Sequence, residues 1–402
     1  MKRILHIVAS MDPAGGGVAQ AIRTLADALK AYGYVSEAVS VDAPDAPFLS
    51  TGRPPDLPIH AVGPGRFGWA YHRNLKMWLE TDGRGYDIWI IHGLWLYPSA
   101  AALRTAAART RKVFIFPHGM LDPWFQSWKR RPTKTLRNTL YWHLLESGTV
   151  RRADGLLFTC AEERRLASTT FARYRPQRAE VVGLGNADVP AAGESPLSAF
   201  LRHCPAVEGQ RYLLFLGRIH PKKGLPLLLE GWARAIREAP AGEPLHLVIA
   251  GPGADSAHGL EMQALAGRIL PEGTVHFPGM LSGSAKWAAL RGADAFVLFS
   301  HQENFGIAVV EALASGTPVL LSTQVNIWRE VVDGGGGLAA MNDREGATKC
   351  LQSWFSLNAA QRETARAHAR ATYLATFSAD AAARRLDQVF SNESTRDASR
   401  CN

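Results

Sequence analysis

A chain of 402 residues, 47% hydrophobic and 20% charged, is too long for one ordinary core and too apolar to be disordered, so two α/β domains are expected. It has no run of 18 apolar residues to span a membrane, and its cysteines (Cys160, Cys204, Cys350 and Cys401) form no CxxC pair, which argues against a disulfide framework or zinc site and fits a reducing cytoplasm. The net charge of +9 lies wholly in residues 1–190, with 25 Lys+Arg against 16 Asp+Glu, while residues 191–402 hold 20 of each; the first half therefore suits an anionic partner.

In chain order, Arg3–Ala9 is a short apolar strand and Val18–Lys30 has helical spacing through Val18, Ile22, Leu25, Ala26 and Leu29. The start has the charge of a signal peptide, but His6 and Asp12-Pro13 break its apolar stretch, so it is read as a buried first strand. Val35–Val41 is a second strand, and the proline-rich stretch Ala43–Pro58 is a loop. Asp87–His92 and Lys112–Pro117 are continuous apolar runs bounded by turn residues, as buried parallel strands should be; Gly155–Thr159 and Ala179–Val182 complete the series. The alternation lapses and then restarts with strand Arg211–Gly217 and helix Leu225–Glu238. It continues through strands Pro244–Ala250, Val275–Phe277, Ala295–Phe299 and Val319–Leu321 and helices Leu260–Ile269, Ser284–Arg291 and Ile307–Ala314. The expected organisation is an N-terminal domain over 1–190, a linker over 191–209 and a second domain over 210–375. A helix over 376–390 would return toward the first domain, and 391–402 would be a disordered tail. Both domains should be doubly wound, Rossmann-like parallel sheets facing each other across a cleft.

Four segments carry chemistry. In Glu303-Asn304-Phe305-Gly306-Ile307-Ala308-Val309-Val310-Glu311 a strand ends at Ser300, a loop carries Glu303 and a helix starts near Gly306, to be closed by Gly316. Free amides at that helix start suit hydroxyls or an anion. Glu311, about one turn inside, can accept both hydroxyls of a vicinal diol such as a ribose, and Glu303 lies nearer a sugar at the helix mouth. In Gly217-Arg218-Ile219-His220-Pro221-Lys222-Lys223-Gly224, a guanidinium and an ammonium follow the second domain's first strand and suit a diphosphate leaving group, with Lys222 the alternative to Lys223. Pro13-Ala14-Gly15-Gly16-Gly17-Val18 opens a helix and suits a phosphate or sugar, or is a flexible turn; it is not Gly-x-Gly-x-x-Gly. Pro117-His118-Gly119 follows a buried strand, and His92-Gly93 is a similar, weaker pair; Asp122 either orients His118 or caps a turn.

The spacing of Glu303 and Glu311 resembles the Glu-x7-Glu signature of family 4 retaining glycosyltransferases, and the likeness extends over nearly the whole chain. It implies a GT-B fold and the transfer of a sugar from a nucleotide diphosphate donor to a glycan or lipid-linked acceptor, as in cell-surface polysaccharide synthesis. Glu311 would hold the donor ribose and Glu303 the transferred sugar. The backbone of Asn304, Phe305, Gly306 and Ile307 would lie along sugar and diphosphate, with Gly16 and Gly17 approaching them. His118 would meet the sugar, and Arg218 and Lys223 would stabilise the leaving diphosphate in a front-face displacement without a protein nucleophile. No Asp-x-Asp element is evident, so no metal or other cofactor is expected. Rival readings are a nucleotide-sugar epimerase or hydrolase of the same fold, and a non-catalytic sugar-nucleotide-binding protein.

Residues 124–152 carry seven bases (Lys129, Arg130, Arg131, Lys134, Arg137, Arg151, Arg152) and one acid, Glu146, interleaved with Trp124, Phe125, Trp128, Tyr141 and Trp142. Such a segment can sit on anionic lipid at the inner face of the plasma membrane, be a solvated helix with aromatic anchors, or bind nucleic acid. The donor motifs elsewhere set nucleic acid aside.

Overall fold

The computed structural model describes residues 1–50, 57–127, 131–191, 193, 196–237 and 245–392. Parts of the Ala43–Pro58 loop, of the basic segment and of the Leu225–Glu238 helix, the start of the Pro244–Ala250 strand, and nearly all of the 391–402 tail lie outside them. The chain divides into two compact units, Met1–Gly185 with Ala379–Asn402, and Asn186–Ser378.

The first unit is built on seven strands: β1 (Lys2–Val8), β2 (Tyr34–Ser40), β3 (Ile59–Ala61), β4 (Ile88–His92), β5 (Lys112–Phe116), β6 (Gly155–Phe158) and β7 (Ala179–Val181). They pair in parallel in the order β3-β2-β1-β4-β5-β6-β7. Parallel strands are covered on both faces, which is why β4 and β5 read as unbroken apolar runs. Leu5, Ile7, Trp89, Ile91, Val113 and Ile115 lie in one core cluster, and Val8, Met11 and Ala38 pack in another under Ile22 and Ala26 of helix Gly17–Leu29. The last helix, Ala379–Ser391, packs against Gly17–Leu29. Phe390 meets the rings of Phe114 and Tyr34, and Tyr34 donates its hydroxyl hydrogen to Asp387 at 2.9 Å.

The second unit carries β8 (Arg211–Leu216), β9 (Leu245–Ala250), β10 (Val275–Gly279), β11 (Ala295–Leu298), β12 (Val319–Ser322) and β13 (Gly337–Ala340), parallel throughout in the order β10-β9-β8-β11-β12-β13. Pro278, which cannot donate to a ladder, sits on the edge strand β10. Of the segment expected to be a linker, 191–209, the stretch from residue 196 onward is built into this unit instead. Its helix Leu197–Leu201 packs on helix Gly283–Gly292, and Phe200 is buried against Tyr212 of β8. Its Ala, Pro and Gly content mimics a linker, while the apolar Leu-x-x-Phe-Leu gives it a face to bury.

In each sheet the first strand has its successor on one side and a later strand on the other. That reversal of strand order leaves a crevice beyond the carboxyl ends of the strands, where open α/β sheets take ligands. It falls between β1 and β4 in the first unit and between β8 and β11 in the second.

Candidate functional site

At the first unit's switch point, β1 runs into a turn that Asp12 caps by accepting the Ala14 N–H at 2.8 Å. Gly16 follows at φ 119, ψ −170, a conformation reserved for glycine, and N-caps helix Gly17–Leu29. The first-turn amides from Gly17 onward therefore point out of the carboxyl edge without intrahelical acceptors.

His118 leaves β5 with φ 52 and is followed by Gly119 at φ 79. A left-handed backbone at a non-glycine residue is unusual and is held by its surroundings. Here the Gly119 N–H donates to the buried Glu163, whose other oxygen takes the N–H of Thr159 at 2.7 Å. The ring of His118 stacks on Phe116 at 4.3 Å and on His92, and its Nε2 lies 2.9 Å from His92 Nδ1. His92 Nε2 in turn lies 2.9 Å from Nδ1 of His6, on β1. Burial lowers the pKa of both His6 and His118 to about 3 and pushes that of His92 well below the ordinary imidazole value. All three rings are neutral at physiological pH. Asp122 caps the turn Pro123–Gln126, accepting the Trp124 N–H at 2.8 Å.

Two features of the first unit had escaped the sequence reading. Glu146, the lone acid of the basic segment, is buried rather than solvated. It accepts the N–H of Trp95 at 2.9 Å and the Ser99 hydroxyl at 2.8 Å, and burial raises its pKa to about 7. Beside it opens a cavity of about 550 Å³ lined by Trp69, Trp95, Arg137, Asn138 and Tyr141 among others. A carboxylate in a basic helix reads as a surface charge; only its register, in line with Thr135, Asn138, Trp142 and Thr149 on the inner face, could have marked it.

The second unit brings its expected residues together. The loop after β8 is closed by Gly224, whose φ is 67 and where a Cβ would lie 2.0 Å from the Phe299 carbonyl oxygen at the end of β11. That approach lets the Lys222 carbonyl accept the His301 N–H at 2.8 Å and the Ser300 hydroxyl at 3.0 Å. With the two loops laced, the Lys223 ammonium forms an ion pair with Glu303 Oε2. Lys223, not Lys222, is thus the lysine paired with this carboxylate. Glu303 is held from both sides of its backbone, its N–H on Gln324 and its carbonyl on the Asn326 N–H, each at 2.9 Å.

Helix Ile307–Ala314 starts at Gly306, φ 72, and Gly316 at φ 70 follows its end. The side chain of Phe305 packs inward on Phe377, and Asn304 Oδ1 faces the Asn326 amide at 3.4 Å, so these residues offer backbone rather than side chain. Among the described residues the N–H groups of Phe305, Gly306 and Ile307 have no partner. Glu311 binds Lys286 Nζ through Oε1 at 2.7 Å, leaving Oε2 for a ligand. Lys286, which sits over the Trp287 ring, was not foreseen, since nothing in a Ser-Ala-Lys-Trp helix marks it. Arg218 is exposed and has no partner among the described residues of its unit. Among the described residues the edge of the second sheet therefore gathers unpaired amides, the unpaired Arg218 guanidinium and two carboxylates each paired with a lysine, a set suited to an anion flanked by hydroxyls.

Both halves of the chain are similar to known proteins. Residues 202–372 match the family model described as glycosyl transferases group 1, and residues 16–185 match a glycosyl transferase 4-like domain. The phosphatidyl-myo-inositol mannosyltransferase of Mycobacterium tuberculosis is 28% identical over 334 residues, 80% of this chain and 77% of that protein. A D-inositol 3-phosphate glycosyltransferase of Geodermatophilus obscurus is 32% identical over 200 residues, covering 48% of this chain and 43% of the relative. Among solved structures, sucrose-phosphate synthase from Thermosynechococcus elongatus aligns over all of both chains with a TM-score of 0.68 at 18% identity. Anabaena HepE in complex with UDP-glucose aligns over 97% of this chain and 100% of that one, with a TM-score of 0.67 at 15% identity. With both halves matched by glycosyltransferase models and the GT-B architecture shared end to end, the chain belongs to the GT-B, family-4-like glycosyltransferases.

Proposed function

We propose that this glycosyltransferase works with retention of configuration, taking a sugar from a nucleoside diphosphate and passing it to a lipid-linked or glycan acceptor of a cell-surface polysaccharide or glycoconjugate. The observation that carries the reading is the juxtaposition of Lys223–Glu303 and Lys286–Glu311 with free amides at one sheet edge. In this reading Glu311 Oε2 accepts a ribose hydroxyl, the amides of Phe305 to Ile307 face the diphosphate, and Glu303 takes hydroxyls of the sugar. Arg218 and Lys223 meet the charge that grows on the departing diphosphate, so no metal is required for that role. The leaving phosphate oxygen accepts the proton of the incoming hydroxyl on the same face, which preserves configuration. Nucleoside diphosphates and their sugars would be screened by thermal shift, and the product made with the stabilising donor examined by NMR. A bound donor at 100-fold its Kd stabilises by about 2.7 kcal/mol, and the product should keep the donor's anomeric configuration. An inverted product, or free sugar as the sole product, would overturn the reading.

The lipid-linked acceptor is supported by the first unit. No helix among the described residues is long and apolar enough to cross a membrane. Helix Pro132–Tyr141, continued by a π-turn over Trp142–Glu146, nevertheless turns Leu136, Leu140 and Leu144 outward, 51%, 55% and 77% exposed, at four-residue spacing. Exposed Arg131 and Arg137 accompany them, the combination that seats a helix on anionic lipid. The cavity on the same segment offers Trp69, Trp95 and Tyr141 as ring faces for a sugar and Arg137 for an attached phosphate. In vesicle flotation, protein with all three leucines changed to serine should bind anionic vesicles at least about tenfold more weakly than wild type, each leucine giving up part of its roughly 2 kcal/mol of burial. Equal flotation of both, or of neither, would remove the membrane reading.

A further inference from the structure

The histidine chain beneath His118 has a direction. Each of its two nitrogen–nitrogen contacts, His6 Nδ1 to His92 Nε2 and His92 Nδ1 to His118 Nε2, both 2.9 Å, needs one proton between its atoms. Three neutral rings carry three ring protons, so two lie in the contacts and the third sits at one end of the chain. One end is His6 Nε2, which is buried and has no partner among the described residues; the other is Nδ1 of His118, a ring only partly buried. A proton on His6 Nε2 would strand a buried donor, and stranded N–H groups are among the rarest defects of folded proteins. The third proton therefore belongs on His118 Nδ1, and every contact in the chain donates outward from β1.

Resting on the glycosyltransferase reading, we propose that His6 and His92 are positioning residues that hold His118 as its Nδ1–H tautomer, so that its Nδ1 gives a hydrogen bond to a substrate oxygen and does not act as a base. To accept a proton at Nδ1, the chain would have to reverse and leave an N–H on His6 Nε2 without an acceptor, or else take a charge into a buried site. The ring plane is fixed as firmly as the proton, stacked 11° from Phe116 and 16° from His92, on a left-handed backbone tied to Glu163 through Gly119. The neutral state that burial imposes on all three rings agrees with this count.

The test is long-range proton–nitrogen NMR on the full chain with nitrogen-15 histidine at neutral pH, the His118 signals being assigned by loss in His118→Gln. Wild type should show a protonated Nδ1 and a bare Nε2 at His118; a protonated Nε2 overturns the proposal without recourse to any variant. In His92→Leu the constraint is gone, and the other tautomer should enter the His118 signals. There kcat should fall at least about tenfold, with KM changing less. His92→Asn, whose amide can place an N–H where Nδ1–H stood, should restore both the tautomer and most of kcat. An unchanged tautomer in folded His92→Leu would likewise overturn the proposal. The wild-type tautomer is read without any substrate, so failure of sugar transfer as the activity would show instead as no response of the His118 signals to nucleotide sugars.

Discussion

Lys223→Ala is expected to lower kcat/KM by about 10²–10³-fold, roughly 3–4 kcal/mol of transition-state stabilisation, while the protein stays folded. The ammonium already lies at the sheet edge, 23% exposed and paired with Glu303, so it can meet new negative charge without a rearrangement. Charge held in place before reaction counts for more than charge that must be gathered during it. The ion pair itself lies between partly exposed groups, and its loss should cost the fold only about 1 kcal/mol. Arg218→Ala separates the two effects more cleanly, because Arg218 has no partner among the described residues of its unit and its removal should leave Tm where it was. Steady-state kinetics beside a melting curve for each variant decides the matter. Activity within threefold of wild type in folded Lys223→Ala would take the diphosphate role away from this lysine.

Gly224→Ala is expected to destabilise the second unit by about 3–5 kcal/mol, a fall in Tm of about 8–15 °C for a unit of this size. Two costs combine. A left-handed conformation at alanine costs about 1–2 kcal/mol, and the methyl carbon would sit 2.0 Å from the Phe299 carbonyl oxygen, in backbone that cannot swing aside. Gly209→Ala is the internal control, since its φ of 68 matches the 67 of Gly224 but nothing lies within 4 Å of its Cβ position. It should show the conformational cost alone, about 2–4 °C per kcal/mol. If both alanines lowered Tm equally, close approach of the two loops would not be what Gly224 supplies.

How far the sequence could be read follows from the kind of signal each residue leaves. The strands β1, β4, β5, β8 and β11 were legible because parallel strands, buried on both faces, leave unbroken apolar runs. The strands β3 and β13 were not: Ile59–Ala61 is three residues behind a proline-rich loop, and Gly337–Ala340 emerges from four glycines that read as a turn. Both are edge strands, paired on one side only, and need little apolar side chain. Glu303 and Glu311 stood out through their spacing across one strand–loop–helix turn. Lys286, Glu146 and His6 did not, and His92 stood out only as a weaker match to His118, because each acquires its meaning from a partner at least 25 residues away.

The sequence by itself therefore determined which atoms are on offer: a glycine-flanked Arg218 and Lys223, the two carboxylates, the Gly16 turn, and a histidine after β5. It could do so because glycine, proline and apolar periodicity act locally, through φ limits and side-chain direction, which neighbouring residues settle among themselves. Only the tertiary structure decided the charge and proton state of those atoms. It set Lys223 against Glu303 and Lys286 against Glu311, buried Glu146 until its carboxyl titrates near neutrality, and aligned three histidines in a chain with one open end. Electrostatics and desolvation depend on distance and burial, and residues remote in the chain fix both only when the sheet brings them side by side.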